Sequence, residues 1–199
     1  MHVRSLFAVV VAALLAGPVS AHAANKAQAK SAGGSTSSAQ AFSVGGWIGY
    51  ENGDLSGLQL RAEGSMPYRK LTPEIQLSFV GSIGYSYLTD SGNGIDITDN
   101  VLKFVPAARF TYGLNPQIDL FGDAGLGLYY AHRKAEATFF GVTQSASDST
   151  TGFMLRFGVG GFYKLNPSTN LGVSLYLDPM FGDYDDTTFS ILAGATFRI

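Results

Sequence analysis

Cysteine is absent from the 199 residues, which removes disulfide frameworks, thiolate zinc sites, redox dithiols and a lipid-anchoring cysteine together. Charge is scarce as well: 13 Lys and Arg against 15 Asp and Glu leave a formal net charge of −2, so no basic footprint supports a nucleic-acid partner. Past the first two dozen residues no apolar run approaches the roughly 20 residues that a membrane-spanning helix needs. What is plentiful instead is Gly (25), Phe (14) and Tyr (10). That composition belongs to strands and turns, in a length suited to one compact domain.

The first 23 residues read as a Sec-type signal peptide. Arg4 precedes an apolar run from Leu6 to Ala16, and Ala21, His22 and Ala23 form an A-x-A cleavage pattern. The run is about a dozen residues, too short for a spanning anchor. Residues 24–41 are rich in Ala, Ser, Gly and Gln, with no large apolar side chain to bury, and are expected to be a disordered periplasmic linker. Residues 42–199 then form the folded domain.

In that domain apolar and polar side chains alternate with the period of a strand. Leu58, Leu60, Ala62, Gly64 and Met66 share one face, and Gln59, Arg61, Glu63 and Ser65 the other. Ile75, Leu77, Phe79, Ile83, Tyr85 and Tyr87 oppose Glu74, Gln76, Ser78, Ser82 and Ser86 in the same way. Similar stretches at 42–50, 101–112, 117–131, 153–164, 170–178 and 188–199 bring the total to about eight, many near the 9–11 residues that cross a bilayer at a tilt. Such alternation suits either a soluble barrel with an apolar interior or a transmembrane barrel with an apolar exterior. Two features favour the membrane. Compact connections at 67–73, 113–116 and 165–168 contrast with long expected loops at 89–100 and 132–151, and Tyr50, Tyr85, Tyr87, Tyr112, Tyr130 and Tyr163 sit on the apolar face near strand ends, where amphipathic rings meet lipid headgroups.

With the apolar face toward lipid, the polar face encloses Arg61, Lys103, Arg109, Arg156 and Arg198 with Glu63, Glu74, Asp119, Asp123 and Asp178. Enclosed charges must pair or stay hydrated, and an eight-stranded lumen is just wide enough for side chains to fill. The expectation is a plug of salt bridges and water, with no open pore.

Motifs for chemistry are sparse. His132 is the one histidine of the folded domain, near Ser145, Ser147, Asp148 and Ser149, and no spacing fixes these residues as a catalytic set. Gly158–Gly161 lies inside a strand pattern, not between a strand and a helix, and so makes no phosphate loop. Asp90, Asp96, Asp99, Asp183, Asp185 and Asp186 make the expected outer loops acidic, with Arg133 and Lys134 as a local basic spot. Oxygen ligands suit calcium or magnesium, but the spacing matches no calcium loop and solvated charge is the favoured reading. No cofactor or metal is expected.

Two turns repeat a phrase, Tyr112-Gly113-Leu114-Asn115-Pro116 and Tyr163-Lys164-Leu165-Asn166-Pro167, in which proline fixes φ and asparagine accepts turn geometry. With Phe121-Gly122-Asp123-Ala124-Gly125-Leu126-Gly127, these phrases resemble the outer-membrane β-barrel domain family that includes small OmpA-like and OmpX-like barrels, over residues 42–199. The chain's last residues, Gly194, Phe197 and Ile199, are similar to the signal read by the outer-membrane barrel assembly machinery; Ile199 stands where an aromatic is usual and Leu192 where a polar residue is. The resemblance implies an all-β, eight-stranded antiparallel up-and-down transmembrane β-barrel in a bacterial outer membrane, with lipids, lipopolysaccharide and the assembly machinery as partners, and it transfers no catalytic residue. A monomeric, non-enzymatic protein with a structural or surface-interaction role is the leading reading; a narrow ion or solute pore is the alternative, and a lipid A-modifying enzyme a remote one.

Overall fold

The computed structural model describes residues 42–92, 95–139 and 142–199; the signal peptide and the linker expected over 1–41 lie outside them. Eight strands follow in order: β1 (Ser43–Asn52), β2 (Ser56–Lys70), β3 (Ile75–Gly92), β4 (Ile95–Gly113), β5 (Ile118–Phe139), β6 (Val142–Asn166), β7 (Thr169–Phe181) and β8 (Thr187–Arg198). Each pairs antiparallel with the next, and β1 pairs with β8, for example Ile48 with Ala193, so the sheet closes into an up-and-down barrel. Closure removes the two edges that an open sheet of this size would expose.

The alternation sorts side chains as a bilayer requires. Leu60, Phe79, Ile83, Phe104, Leu128 and Phe157 all stand on the outside, half exposed, while Gln59, Arg61, Ser82 and Lys103 are buried on the inside. Aromatic residues border the outer apolar belt at two levels. Tyr50, Tyr85, Tyr87 and Tyr130 mark one rim and Tyr68, Tyr112 and Tyr163 the other.

Three connections on one rim are tight. Asn115 Oδ1 accepts the amides of Gln117 and Ile118, and Asn166 Oδ1 accepts the amide of Ser168, which accounts for the repeated Asn-Pro phrase. Between β2 and β3, the amides of Leu71 and Thr72 donate to the Ile75 carbonyl. On the opposite rim the β7–β8 turn needs Gly182, whose φ of 124° is strained for any other residue.

The long loops expected at 89–100 and 132–151 are corrected: both are hairpins in which β3 runs to Gly92, β4 starts at Ile95, β5 runs to Phe139 and β6 starts at Val142. Beyond the membrane the contrast between the faces reverses. Thr98, His132, Lys134, Ser147 and Ser149 now point outward, while Ile95, Ile97, Ala135, Ala137 and Ala146 follow the inward phase of Val101 and Ala131. Water, not lipid, is the neighbour here, so the polar face turns out. The four strands β3–β6 therefore project past the barrel. Since β7 stops at Phe181 opposite Phe153, β6 from Val142 to Gly152 has β5 as its sheet neighbour and, among the described residues, none on its other edge.

Candidate functional site

The lumen is the site at which the sequence concentrates chemistry, and it is built in layers. At the outer end it is apolar. Leu55, Leu88, Val101, Val105, Tyr129, Ala131, Met154, Met180 and Tyr184 form one buried cluster. The β7–β8 loop is drawn onto it by the Tyr129 hydroxyl, which donates to the carbonyls of Phe181 and Tyr184 at 3.1 and 3.2 Å. Tyr184 in turn donates to Asp99 at 2.8 Å, and Arg133 grips the same carboxylate at 2.7 Å. Burial and the Asp99 charge push the Tyr184 phenol well above its usual range, so it remains a donor at every physiological pH.

Beneath this cap lies the first ionic layer. Lys103, on β4, reaches Glu51 of β1 at 2.6 Å and Asp178 of β7 at 3.3 Å; Arg156 of β6 clamps Asp178 through two bonds of 2.8 and 2.7 Å and donates to Ser82. Gln59 and Ser86 supply two further donors to Glu51. The second layer sits nearer the opposite mouth. Arg109 bridges Asp123 at 2.7 Å and Glu63 at 2.9 Å, while Arg61 lies 3.6 Å from Glu63. Tyr176 joins the halves: its hydroxyl accepts from Arg61 and donates to Asp123, and its ring lies 4.1 Å beneath the Arg61 guanidinium. Trp47, Phe121, Phe162 and Leu192 pack around this layer, and Arg109 stacks on Phe121 at 4.3 Å.

Four cations thus face four carboxylates across six strands, all of them buried. Paired charges in so dry a space lock strand to strand, since removing either member leaves a charge that costs several kcal/mol. Among the described residues, Trp47 Nε1, Arg61 Nε, Ser174 Oγ and Ser190 Oγ are buried without a protein partner, which marks places for lumen water.

Of the ten residues assigned to the enclosed network, the structure brings together Arg61, Glu63, Lys103, Arg109, Asp123, Arg156 and Asp178. Asp119 is set apart at the mouth, paired with Lys164 at 2.7 Å. Glu74 and Arg198 are corrections. Glu74 belongs to the β2–β3 turn, exposed and bonded to Thr72, and Arg198 is exposed at the end of β8; both sit where the alternation has run past the membrane and into water. Glu51 escaped the sequence reading because the first strand was expected to end at Tyr50, and one more inward position makes it a lumen carboxylate. Asp99 is likewise no free rim carboxylate, being buried against Arg133 and Tyr184.

His132 Nδ1 lies 2.8 Å from Ser149 Oγ, which also accepts from Tyr130 at 3.1 Å. Among the described residues no carboxylate hydrogen-bonds to the His132 ring, so no acid orients the pair as a triad requires. Gly194 lies against Trp47, where an added Cβ would sit 2.7 Å from the indole. Phe197 points out into the lipid belt, and the Ile199 amide donates to the Phe42 carbonyl.

Solved barrels share this architecture. A major outer membrane protein from Thermus thermophilus superposes with a TM-score of 0.57 at 16% identity, covering 81% of this chain and 100% of that one. Neisserial surface protein A gives 0.51 at 13% identity, over 79% and 97%. The outer membrane enzyme PagL gives 0.51 at 20%, over 79% and 99%. At these identities the likeness is one of fold. No curated protein sequence matches the chain. The model of the outer membrane protein beta-barrel domain matches residues 9–197, and with a closed eight-stranded barrel, an apolar exterior and aromatic rims, the chain belongs to that family, as a protein of the bacterial outer membrane.

Proposed function

We propose that the protein is a non-enzymatic barrel with a structural and surface-directed role, its lumen sealed and its projecting sheet offered to the outside. The observation that carries this reading is the charge-balanced double layer between Glu51 and Asp123, capped by Tyr184. An eight-stranded lumen has room for side chains and little else, and here two ion-pair layers and an apolar cap occupy it. Transport of solutes is the less supported reading. The lipid A-modifying reading is weaker still, because the His132–Ser149 contact lacks an orienting acid. The β3–β6 projection supports surface contact, since it is the part that stands clear of lipid with an open strand edge. Lipids and lipopolysaccharide would touch the belt, and the assembly machinery the β8 strand ending in Gly194, Phe197 and Ile199; single-chain closure suits a monomer.

Planar-bilayer recording on the purified barrel tests the sealed lumen. Silence apart from rare brief events is expected, and steady single-channel currents would overturn it. Replacing residues 135–146 by a short turn, which keeps the Arg133–Asp99 pair, should leave the barrel folded while removing any envelope or adhesion phenotype of the intact protein. A phenotype that survives the truncation contradicts the surface role.

A further inference from the structure

The mouth opposite the projecting sheet is an open vestibule of about 550 Å³, and its charge is not balanced like that of the lumen above it. Lys70 enters it from the end of β2 and Arg198 from the end of β8, while Arg69, on the outward phase of Leu77, borders its rim. Arg109 forms part of its floor but is already committed to Glu63 and Asp123, and Asp119 on its wall is committed to Lys164. Among the described residues no carboxylate lies within ion-pair distance of Arg69, Lys70 or Arg198. Two cations therefore face one recess and a third stands at its rim, none of them ion-paired among the described residues. The other rim has the opposite sign: Asp54, Asp90, Asp96, Asp183 and Asp185 stand there with no ion-paired cation among the described residues.

Convergent like charges repel, and sharing one multiply charged anion relieves that repulsion. Guanidinium groups hold phosphate oxygens in pairs and an ammonium acts as a point charge beside them. Gln76, Thr111 and Asn170 line the same recess and add neutral donors. From this convergence we infer that the vestibule binds a phosphate-bearing anion presented from the periplasmic side. The volume accommodates a single phosphorylated headgroup or a small soluble phosphate. The site is independent of the sealed-lumen reading, because it lies outside both ionic layers and needs no passage through them.

Amide chemical-shift mapping on the full folded barrel tests the site in two arms. In the first, pyrophosphate is titrated into the barrel in uncharged detergent; in the second, nanodiscs containing phosphatidylglycerol are compared with nanodiscs of phosphatidylcholine. Saturable shifts confined to Lys70, Gln76, Thr111, Asn170 and Arg198, weakened by salt, support the site. A response to pyrophosphate names a soluble source, and a response to phosphatidylglycerol alone names a lipid headgroup. The Arg69→Gln/Lys70→Gln/Arg198→Gln variant should lose at least tenfold in affinity, while Lys134→Gln on the opposite rim should change nothing. All three replacements sit at exposed strand ends, so the fold survives, and an unchanged spectrum away from the mouth checks this. No saturable shift in either arm, or equal binding by the triple variant, overturns the proposal.

Discussion

Removal of Lys103 is the perturbation that most sharply separates a pairing lumen from one merely filled. Its ammonium is fully buried, 2.6 Å from Glu51 Oε1, 3.3 Å from Asp178 Oδ2 and 3.2 Å from Thr188 Oγ1. In Lys103→Met the upper layer keeps two carboxylates and one guanidinium. Asp178 retains both bonds from Arg156, so the orphan is Glu51, left with the neutral donors Gln59 and Ser86. Breaking a buried pair in this way costs about 3–5 kcal/mol, a shift of roughly 140- to 3700-fold in the unfolding equilibrium at about 1.4 kcal/mol per decade. Neutralising the orphan in Lys103→Met/Glu51→Gln should return most of it, with non-additivity of at least about 2 kcal/mol. Urea unfolding in lipid vesicles reads both variants, with the single tryptophan, Trp47, buried in the second layer as the reporter. A cost below about 1 kcal/mol for Lys103→Met, or additive behaviour in the double variant, would refute the pairing.

Other outcomes follow from the same geometry. Leu128→Arg, on the lipid face, should cost about 2–4 kcal/mol, whereas Thr98→Arg, also outward but on the projecting sheet, should stay within about 0.5 kcal/mol; equal costs in vesicle unfolding would place the membrane boundary elsewhere. A Cβ at Gly158 would lie 2.3 Å from the Tyr176 ring, while at Gly81 it meets nothing within 4 Å, so Gly158→Ala should impair refolding, read by the mobility of unboiled samples on gels, and Gly81→Ala should not. Burial, and then the neighbouring Asp54 charge, raise the Asp186 carboxyl above its ordinary value. An acid raised in the folded state binds the proton more tightly there, so its contribution favours folding at low pH and is lost as pH rises through the folded-state value. Asp186→Asn should therefore flatten the stability profile as pH rises above the ordinary aspartate range and match or exceed the wild type at neutrality; a steeper decline with pH would contradict the sign.

Strand number and direction were legible because lipid on one side and ion pairs on the other impose the strongest contrast a period-two pattern carries, as in 58–63. Strand ends were not, because that contrast has a membrane's thickness. Past Tyr130 the outward residues become His132 and Lys134 and the inward ones Ala135 and Ala137, so the pattern reads as a polar loop although the ladder continues. The apolar cap was hidden for a related reason. Val101 and Leu102, or Tyr129 and Tyr130, place one apolar residue on each face, and a run that is apolar on both faces shows no alternation. Seven of the network's charges could be placed from phase alone; Glu51 and Asp99 were lost with the strand ends they occupy. The pairings themselves, such as Lys103 across the lumen to Glu51, join residues whose distance apart depends on strand tilt and closure, which no single segment encodes.

The central claim is that lipid touches one apolar set and never the other, and intermolecular NOEs between acyl-chain methylenes and side-chain protons measure this on the unaltered barrel. Leu60, Ile83, Phe104 and Leu128 should show strong contacts to the chains, and Val101, Val105, Met154 and Leu192, equally apolar but turned to the lumen, should show none. Contacts from the second group, with silence from the first, would contradict the structure's inside and outside.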